Sequence, residues 1–411
     1  SNLDKSQINI EGKIKDNNID VKFASDKFNL GDGLNPLPSA AKIPYKKDLA
    51  AINAGFNGRY NGSIQDINFD NIYLKGKIYS NKLSKSVIAV DNSSFELNNS
   101  TFKLPLLKGS FKNSPYSISL NISKMFSPQR VVNGNCKIAS LDLNLINDNA
   151  LQYILPPETA KQLKDIDFLN GNINLAAKIK NNNLNAYTKL DDISLLYKPK
   201  RLKLTINSGD MLLRNNLLRL NKINALLGKM PVFINGEIAN VQKNPNFNLY
   251  INAKPTQEFF DQFFNNKSVY PIKLKGDAIL TSTLRGTPDY LNAKSTFNIS
   301  DNSSLYYMGA SIGDAENPVK ITADTTYSPD RLRINNFQYD KIITSQNNRP
   351  FVNPQLTAQG TINLISDNII GFNNFRVKTQ TPTDAKIFNI IFRKPFMKQG
   401  VFTSDLILNG T

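Results

Sequence analysis

The chain has 411 residues, 40% hydrophobic and 20% charged, a balance that excludes a disordered polymer and a bundle of membrane-spanning helices. Its 50 Lys and Arg against 33 Asp and Glu give a net charge of +17, but the lysines are scattered one or two per strand. A nucleic-acid binder gathers such charge into a patch or helix, so no nucleic-acid partner is expected; a solvated outer face, compatible with attraction to anionic lipid headgroups, is. No histidine and one cysteine rule out Ser-His-Asp and Cys-His catalysis, His-ligated metal and an internal disulfide, so no enzyme, metal or cofactor is expected.

In chain order, SNLDKSQINIEGKI already reads as strand and the closing SDLILNGT as another strand ending. The chain is therefore expected to be a piece of a longer protein, with any anchor or targeting segment outside it. No apolar run reaches the length of a membrane-spanning helix, and the opening residues are not expected to be a signal peptide. Alternation with period two begins at Ile8, Ile10, Gly12 and Ile14, and recurs at Ile72, Leu74, Gly76, Ile78 and at Ile118, Leu120, Ile122. The pieces KDNN, FNGRYNG and NNNLN read as hairpin turns between strands. The stretch 27–44 is the best candidate boundary. Residues 1–44 are then strands continuing from a preceding segment, and 45–411 a repeating β-structure.

Short helices are expected near 147–166, where Pro157 and Glu158 suit a first turn, and near 255–267, with Thr256 as N-cap. The second would set Phe259, Phe260, Phe263 and Phe264 on one face, packed on the sheet or lying as a lid over an apolar interior. Cys136, in phase with Val132 and Ile138, reads as a small buried hydrophobe. Asp191 and Asp192 read as turn residues, and GDG at 31–33 is a weak phosphate-loop signal.

Glycines recur in the apolar rows, as in PVFINGEI, where Gly236 follows Val232 and Ile234 and precedes Ile238. Gly76, Gly171, Gly276 and Gly360 are in the same phase, as are Gly12, Gly109 and Gly410. They are expected either to bend the sheet or to leave room for something to approach the backbone along its concave face. A loose repeat accompanies them. LRLNKINALLGKMPVFINGEI is its fullest copy, echoed in INAGFNGRYNGSIQDINFDNIYLKGKI, STFKLPLLKGSF and LRINNFQYDKIITSQNNRPFVNPQLTAQGTI.

The expected fold is thus all-β: a long, strongly curved antiparallel meander with one apolar and one wet face, plus a few short helices. Alternation alone leaves a sandwich, a membrane barrel and an open groove in play. Few helices, no tryptophan girdle and no asymmetry of turns against loops favour the groove. Its expected lining is Ile72 and Leu74, then Ile173 and Leu175, then Leu202, Leu204 and Ile206. It continues through Val232, Ile234 and Ile238, then Leu249 and Ile251, and finally Ile272 and Leu274.

LGKMPVFINGEI with its upstream NNLLRLNKINA is similar to the strand units of the AsmA-like superfamily, which includes TamB- and YhdP-like proteins. ALQYILPPETAKQLKDIDFLNGNINLAAKI resembles the YhdP-type step of "YLP", short helix and glycine-bearing strand, without the tryptophan common after it. STFNISDNSSLYYMGASIGDAENPVKITADTTY resembles their later strand–turn–strand units. The resemblance covers about three quarters of the chain in loose pattern. It implies a periplasmic protein of the Gram-negative envelope, anchored in the inner membrane by a segment outside this chain. Phospholipids and the inner and outer membranes would be its partners, with other envelope proteins beside them. An alternative is a scaffold for outer-membrane protein assembly by β-augmentation.

Overall fold

The computed structural model describes residues 6–31, 51–80, 88–144, 164–241, 243–265, 270–313, 316–344, 350–366, 369–391 and 394–410. It is 71% strand and 6% helix, and a 23-stranded antiparallel meander, not closed as a barrel, accounts for most of it. The chain divides into two compact units, residues 1–199 with 211–215, and residues 200–210 with 216–411.

Unit 1 runs through β1 (Asn9–Lys15), β2 (Asn18–Asn29), β3 (Ile52–Ser63), β4 (Ile72–Ser80), β5 (Ile88–Val90) and β6 (Ser93–Asn98). It goes on through β7 (Thr101–Phe111), β8 (Ser114–Ser123), β9 (Val131–Asp142), β10 (Ile166–Asn170), β11 (Asn172–Lys180) and β12 (Asn183–Tyr197). The turns at Asp16–Asn17 and Asn181–Asn182 have both central residues at positive φ, the twist-matched hairpin geometry that asparagine and aspartate tolerate. KDNN and NNNLN are therefore turns. FNGRYNG is not: it lies inside β3, with Phe56, Gly58 and Tyr60 facing Gly76, Leu74 and Ile72. Gly58 is there because the Phe23 ring of the next strand occupies the place of its side chain. Asp191 and Asp192 are likewise inside a strand, β12, rather than in a turn. The expected boundary at 27–44 falls mostly outside the described residues; β2 and β3 on either side of it pair directly, from Asn18↔Ser63 to Asn29↔Asn53.

β13 (Leu202–Arg214) is divided between the units. Unit 2 continues with β14 (Leu217–Leu227), β15 (Met230–Ala239), β16 (Asn246–Ala253), β17 (Lys273–Lys275), β18 (Ala278–Thr287), β19 (Tyr290–Ile299), β20 (Ser304–Tyr307) and β21 (Ala310–Ile312). After these come β22 (Val319–Ser328), β23 (Arg331–Thr344), β24 (Pro350–Ser366), β25 (Ile369–Thr379), β26 (Thr383–Asp384), β27 (Val401–Phe402) and β28 (Asp405–Gly410). Three excursions leave the meander at the same ends of its strands. β16 pairs with β18, β19 with β22 and β25 with β28, so the intervening pieces stand off the sheet. They carry helix α1 (Gln257–Phe260), a separate sheet of β17, β20 and β21, and helix α2 (Ile387–Ile391).

Thr256 caps α1 as the sequence suggests, its side chain accepting from the Phe259 N–H. The next turn, Asp261–Asn265, widens to π geometry. The helix expected at 147–166 lies outside the described residues as far as 163, and Ile166 already begins β10. Gly31 ends the described segment after β2, so the rest of the GDG stretch lies outside it.

Candidate functional site

Cross-strand register carries one apolar face through unit 2. Ile234 stands opposite Ile251, Ile251 opposite Ser282, Ser282 opposite Ser295 and Ser295 opposite Ala323. The same row goes on to Phe337, Ala358, Val377 and Leu406. The alternate row, Glu237, Asn248, Arg285, Asn292, Thr326, Arg333 and Thr361, is polar throughout. Between bulges each strand sorts its residues by parity, and antiparallel pairing keeps the sorting from strand to strand; the bulge in β23 resets it, so that Phe337 and Arg333, four residues apart, fall on different rows.

Over β15 and β16 this face is only half-covered. Val232, Ile234, Ile238, Phe247, Leu249 and Ile251 are all half-buried. A sandwich core would hide such residues almost completely, so half-burial marks a face over which no second layer has closed. Unit 1 has an apolar face of its own, part of it closed: Ala54, Phe95, Leu97 and Leu104 are buried, and Leu74 packs against that cluster. Leu74 faces Leu97, which faces Phe102, then Ile122 and Val132. Ile118, Cys136 and Ala177 form a parallel row, and Ile173 and Leu175 stand opposite Leu141 and Ile138. Ile72, Leu74, Ile118, Ile138, Ile173 and Leu175 are half-buried, while Lys75, Lys137 and Lys178 on alternate positions are exposed. In β13, half-buried Leu202, Leu204 and Ile206 alternate with exposed Lys203 and Asn207, with half-buried Thr205 between.

Ile272 and Leu274 sit elsewhere than expected. They belong to the excursion between β16 and β18, and Leu274 packs from β17 onto the core of unit 2. That core is a stretch of the unit 2 face with a roof. Ile299 and Val319 are 1% exposed and Val377 0%, and Leu274, Leu305, Ile312 and Ile387 from the excursions pack against them. The roof is stitched by amide side chains. Gln257 accepts from the Leu274 N–H at 2.6 Å and donates to the Ile272 carbonyl at 3.1 Å. Asn265 accepts from the Ile272 N–H at 2.6 Å and donates to its carbonyl at 2.8 Å. Buried Asn389 of α2 donates to the Met308 and Met397 carbonyls, both at 2.9 Å, and accepts from the Met397 N–H. The phenylalanines of α1 do cluster: Phe259 and Phe263 have ring centroids 4.8 Å apart, and the π turn brings Phe264 within 5.9 Å of both Phe259 and Phe260. Phe260 is buried, whereas Phe264 remains 53% exposed.

Gly236, Gly360, Gly76 and Gly171 serve close approach of a neighbouring strand, whereas the place of a side chain at Gly410 is open. Gly236 has φ +144°, and a Cβ there would lie 2.2 Å from the Asn248 carbonyl oxygen and 2.9 Å from the Leu249 Cα. Gly360, at φ +135°, would meet the Asn374 oxygen at 2.4 Å. What approaches each backbone is the neighbouring strand. Gly76 and Gly171 also lie against adjacent strands, and Gly276 is in the bend before β18, against Ser303.

Bulges lie beside Gly171, Gly236 and Gly360, and three bulges share a device that the sequence reading missed. Ser140, Lys222 and Asn374 each take a left-handed conformation within a strand. The N–H of each donates to an asparagine side chain on the facing strand: Asn174 at 2.9 Å, Asn235 at 3.2 Å and Asn409 at 2.8 Å. Two of these asparagines directly precede Gly236 and Gly410. Each clamp satisfies an N–H that the register shift would leave unpaired, and each bulge bends its strand.

Among the described residues no group of His, Cys, Asp or Glu could hold a metal ion. Burial raises the Cys136 thiol above its ordinary value, which keeps it protonated and slow as a nucleophile. The carboxylates and guanidinia with shifted titration stand on exposed surface; Asp20, for example, is held low by a two-bond pair with Arg59 at 2.8 and 2.7 Å. What the open stretches offer is a half-covered apolar surface within each unit. Comparison with protein-family models, with curated proteins and with solved structures returns no match for this chain.

Proposed function

We propose that the chain is a non-enzymatic lipid-transfer conduit of the AsmA-like kind, whose apolar face forms a groove for phospholipid acyl chains. The observation that carries this reading is the half-burial of an apolar face kept in register from strand to strand. Each acyl methylene moved from water onto such a surface gains up to about 0.8 kcal/mol, so a continuous face lowers the cost of carrying a lipid without any reaction. The sequence resemblance supports a periplasmic setting for the conduit, held at the inner membrane by a segment outside this chain and supporting the outer membrane. A photo-crosslinking residue at Ile234 tests it in cells: phospholipid should be captured there and not at Asn235, which points to the opposite face. Equal capture at both positions, or none at Ile234, contradicts the proposal.

One observation favours a second reading. Among the described residues β1 pairs only with β2, and all seven of its residues are exposed. Such an edge could add a client strand by β-augmentation, as a scaffold for outer-membrane protein assembly would. Binding of unfolded barrel strands by a purified chain that carries no lipid would favour the scaffold.

A further inference from the structure

At one end of the strands of unit 1, the loops 64–71, 99–100 and 124–130 lie side by side. Register places them together, because Asn18↔Ser63, Asn98↔Thr101 and Ile122↔Val132 are all pairs at that end. Bonds between the loops hold them. Ser100 donates its hydroxyl to the Asp70 carboxylate, and the Met125 N–H donates to the Ser100 carbonyl at 2.8 Å. The rings of Phe69 and Phe126 meet across the gap at 5.3 Å. Internal bonds also brace each long loop. Asn68 caps the short 3-10 turn Phe69–Asn71, and the Ser127 and Arg130 N–H groups donate back to Lys124 and Ser127.

This braced platform turns its apolar residues outward. Ile64 is 40% exposed, Ile67 59%, Phe69 53% and Phe126 44%. Solitary exposed hydrophobes need no explanation, but four on bonded, adjacent loops form a patch, and patches of that kind mark interaction sites. Lys124 and Arg130 flank it, both exposed, with Asp66 and Asp70 as the acidic neighbours; the Asp70 carboxylate is engaged by Ser100.

We infer that this platform is a membrane-surface anchor, inserting Ile67, Phe69 and Phe126 among the headgroups of an anionic bilayer with Lys124 and Arg130 at the phosphates. Three features single out a lipid surface as the occupant. The protruding groups are aromatic and aliphatic side chains on separate loop tips, which suit a soft interface better than a shaped protein pocket. The net charge of +17 draws the whole chain to an anionic surface. The platform also lies at the strand ends that border the apolar face of unit 1, where acyl chains pass between bilayer and groove. That last point rests on the proposed lipid-transfer reading; the first two do not.

The chain contains no tryptophan, so Phe69→Trp creates a single fluorescent reporter, and Phe126→Trp a second one should the first fail to fold. Either protein is mixed with vesicles of phosphatidylethanolamine and phosphatidylglycerol in a three-to-one ratio, and in parallel with phosphatidylcholine vesicles. The anchor predicts a blue shift and quenching by lipids brominated near the headgroup in the anionic vesicles, weakened by added salt. Phe69→Asp with Phe126→Asp should lower vesicle partitioning roughly ten-fold or more, and Phe126→Leu should restore it in part. An unchanged spectrum in anionic vesicles overturns the anchor. So does a patch that proves to bury itself in a second copy, seen as a dimer in sedimentation that the double variant dissolves. An environment-sensitive dye on Cys136, on the apolar face of unit 1, reads groove occupancy separately. Loss of vesicle binding with acyl-chain uptake intact, or the reverse, shows which of the two readings has failed.

Discussion

Unit 2 contains the same alternating face in two conditions, and the contrast shows what sequence alternation does and does not decide. Around Ile299, Val319 and Val377 the excursions close over the sheet, and those side chains are hidden almost completely. Around Ile234, Leu249 and Ile251 the face stays half-covered. Residue types and spacing are alike in the two stretches. The difference is made by three short excursions at one end of the strands, so the roofed stretch is a protein core and the open stretch is surface available to something else.

Charge introduced under the roof should have the largest effect. Val377→Asp would leave an unpaired carboxylate in a site with no exposure, at a cost of about 4 kcal/mol or more, and unit 2 should lose its cooperative unfolding transition in a denaturant titration. Next comes the strand-to-strand approach. Gly236→Ala would force a Cβ onto the Asn248 carbonyl at a positive φ, costing about 2–3 kcal/mol, readable as a lower denaturation midpoint with little change in slope. On the open stretch, Ile234→Asp should cost about 1–2 kcal/mol of stability, less than under the roof because the side chain is only partly covered, while reducing lipid capture far more. If Ile234→Asp unfolds the protein as Val377→Asp does, the two stretches are not different in kind.

The smallest effects belong to the surface. Arg59 holds the Asp20 carboxyl below its ordinary value, so this pair stabilises the fold above the unfolded carboxylate range and loses that contribution as pH falls through the folded value. Both partners are about half exposed, so Asp20→Asn should barely move the midpoint at neutral pH and should flatten a slight acid dependence.

Much of this fold is legible in the residues, because period-two alternation leaves a strand one way to bury its apolar half. Asn-Asn and Asp-Asn turns, and Thr256 as a cap, are legible for equally local reasons. The failures have physical causes. FNGRYNG carries turn-forming residues, yet Gly58 serves the Phe23 ring inside a strand. PVFINGEI reads as a strand and is one, but alternation does not reveal that Asn235 clamps the Lys222 bulge or that Gly236 admits the next strand. Leu274 alternates like any groove residue, and only its departure from the meander turns it into roof. The patch of Ile67, Phe69 and Phe126 escapes a strand-by-strand reading because it is assembled from separate loops.

The central claim is that the half-covered face is filled by lipid rather than protein. Native mass spectrometry of the purified chain tests it most directly. The account predicts phospholipid bound in several copies per chain, with fewer copies in Ile234→Asp. A lipid-free chain that takes up none from added phospholipid, while keeping its fold, would contradict it.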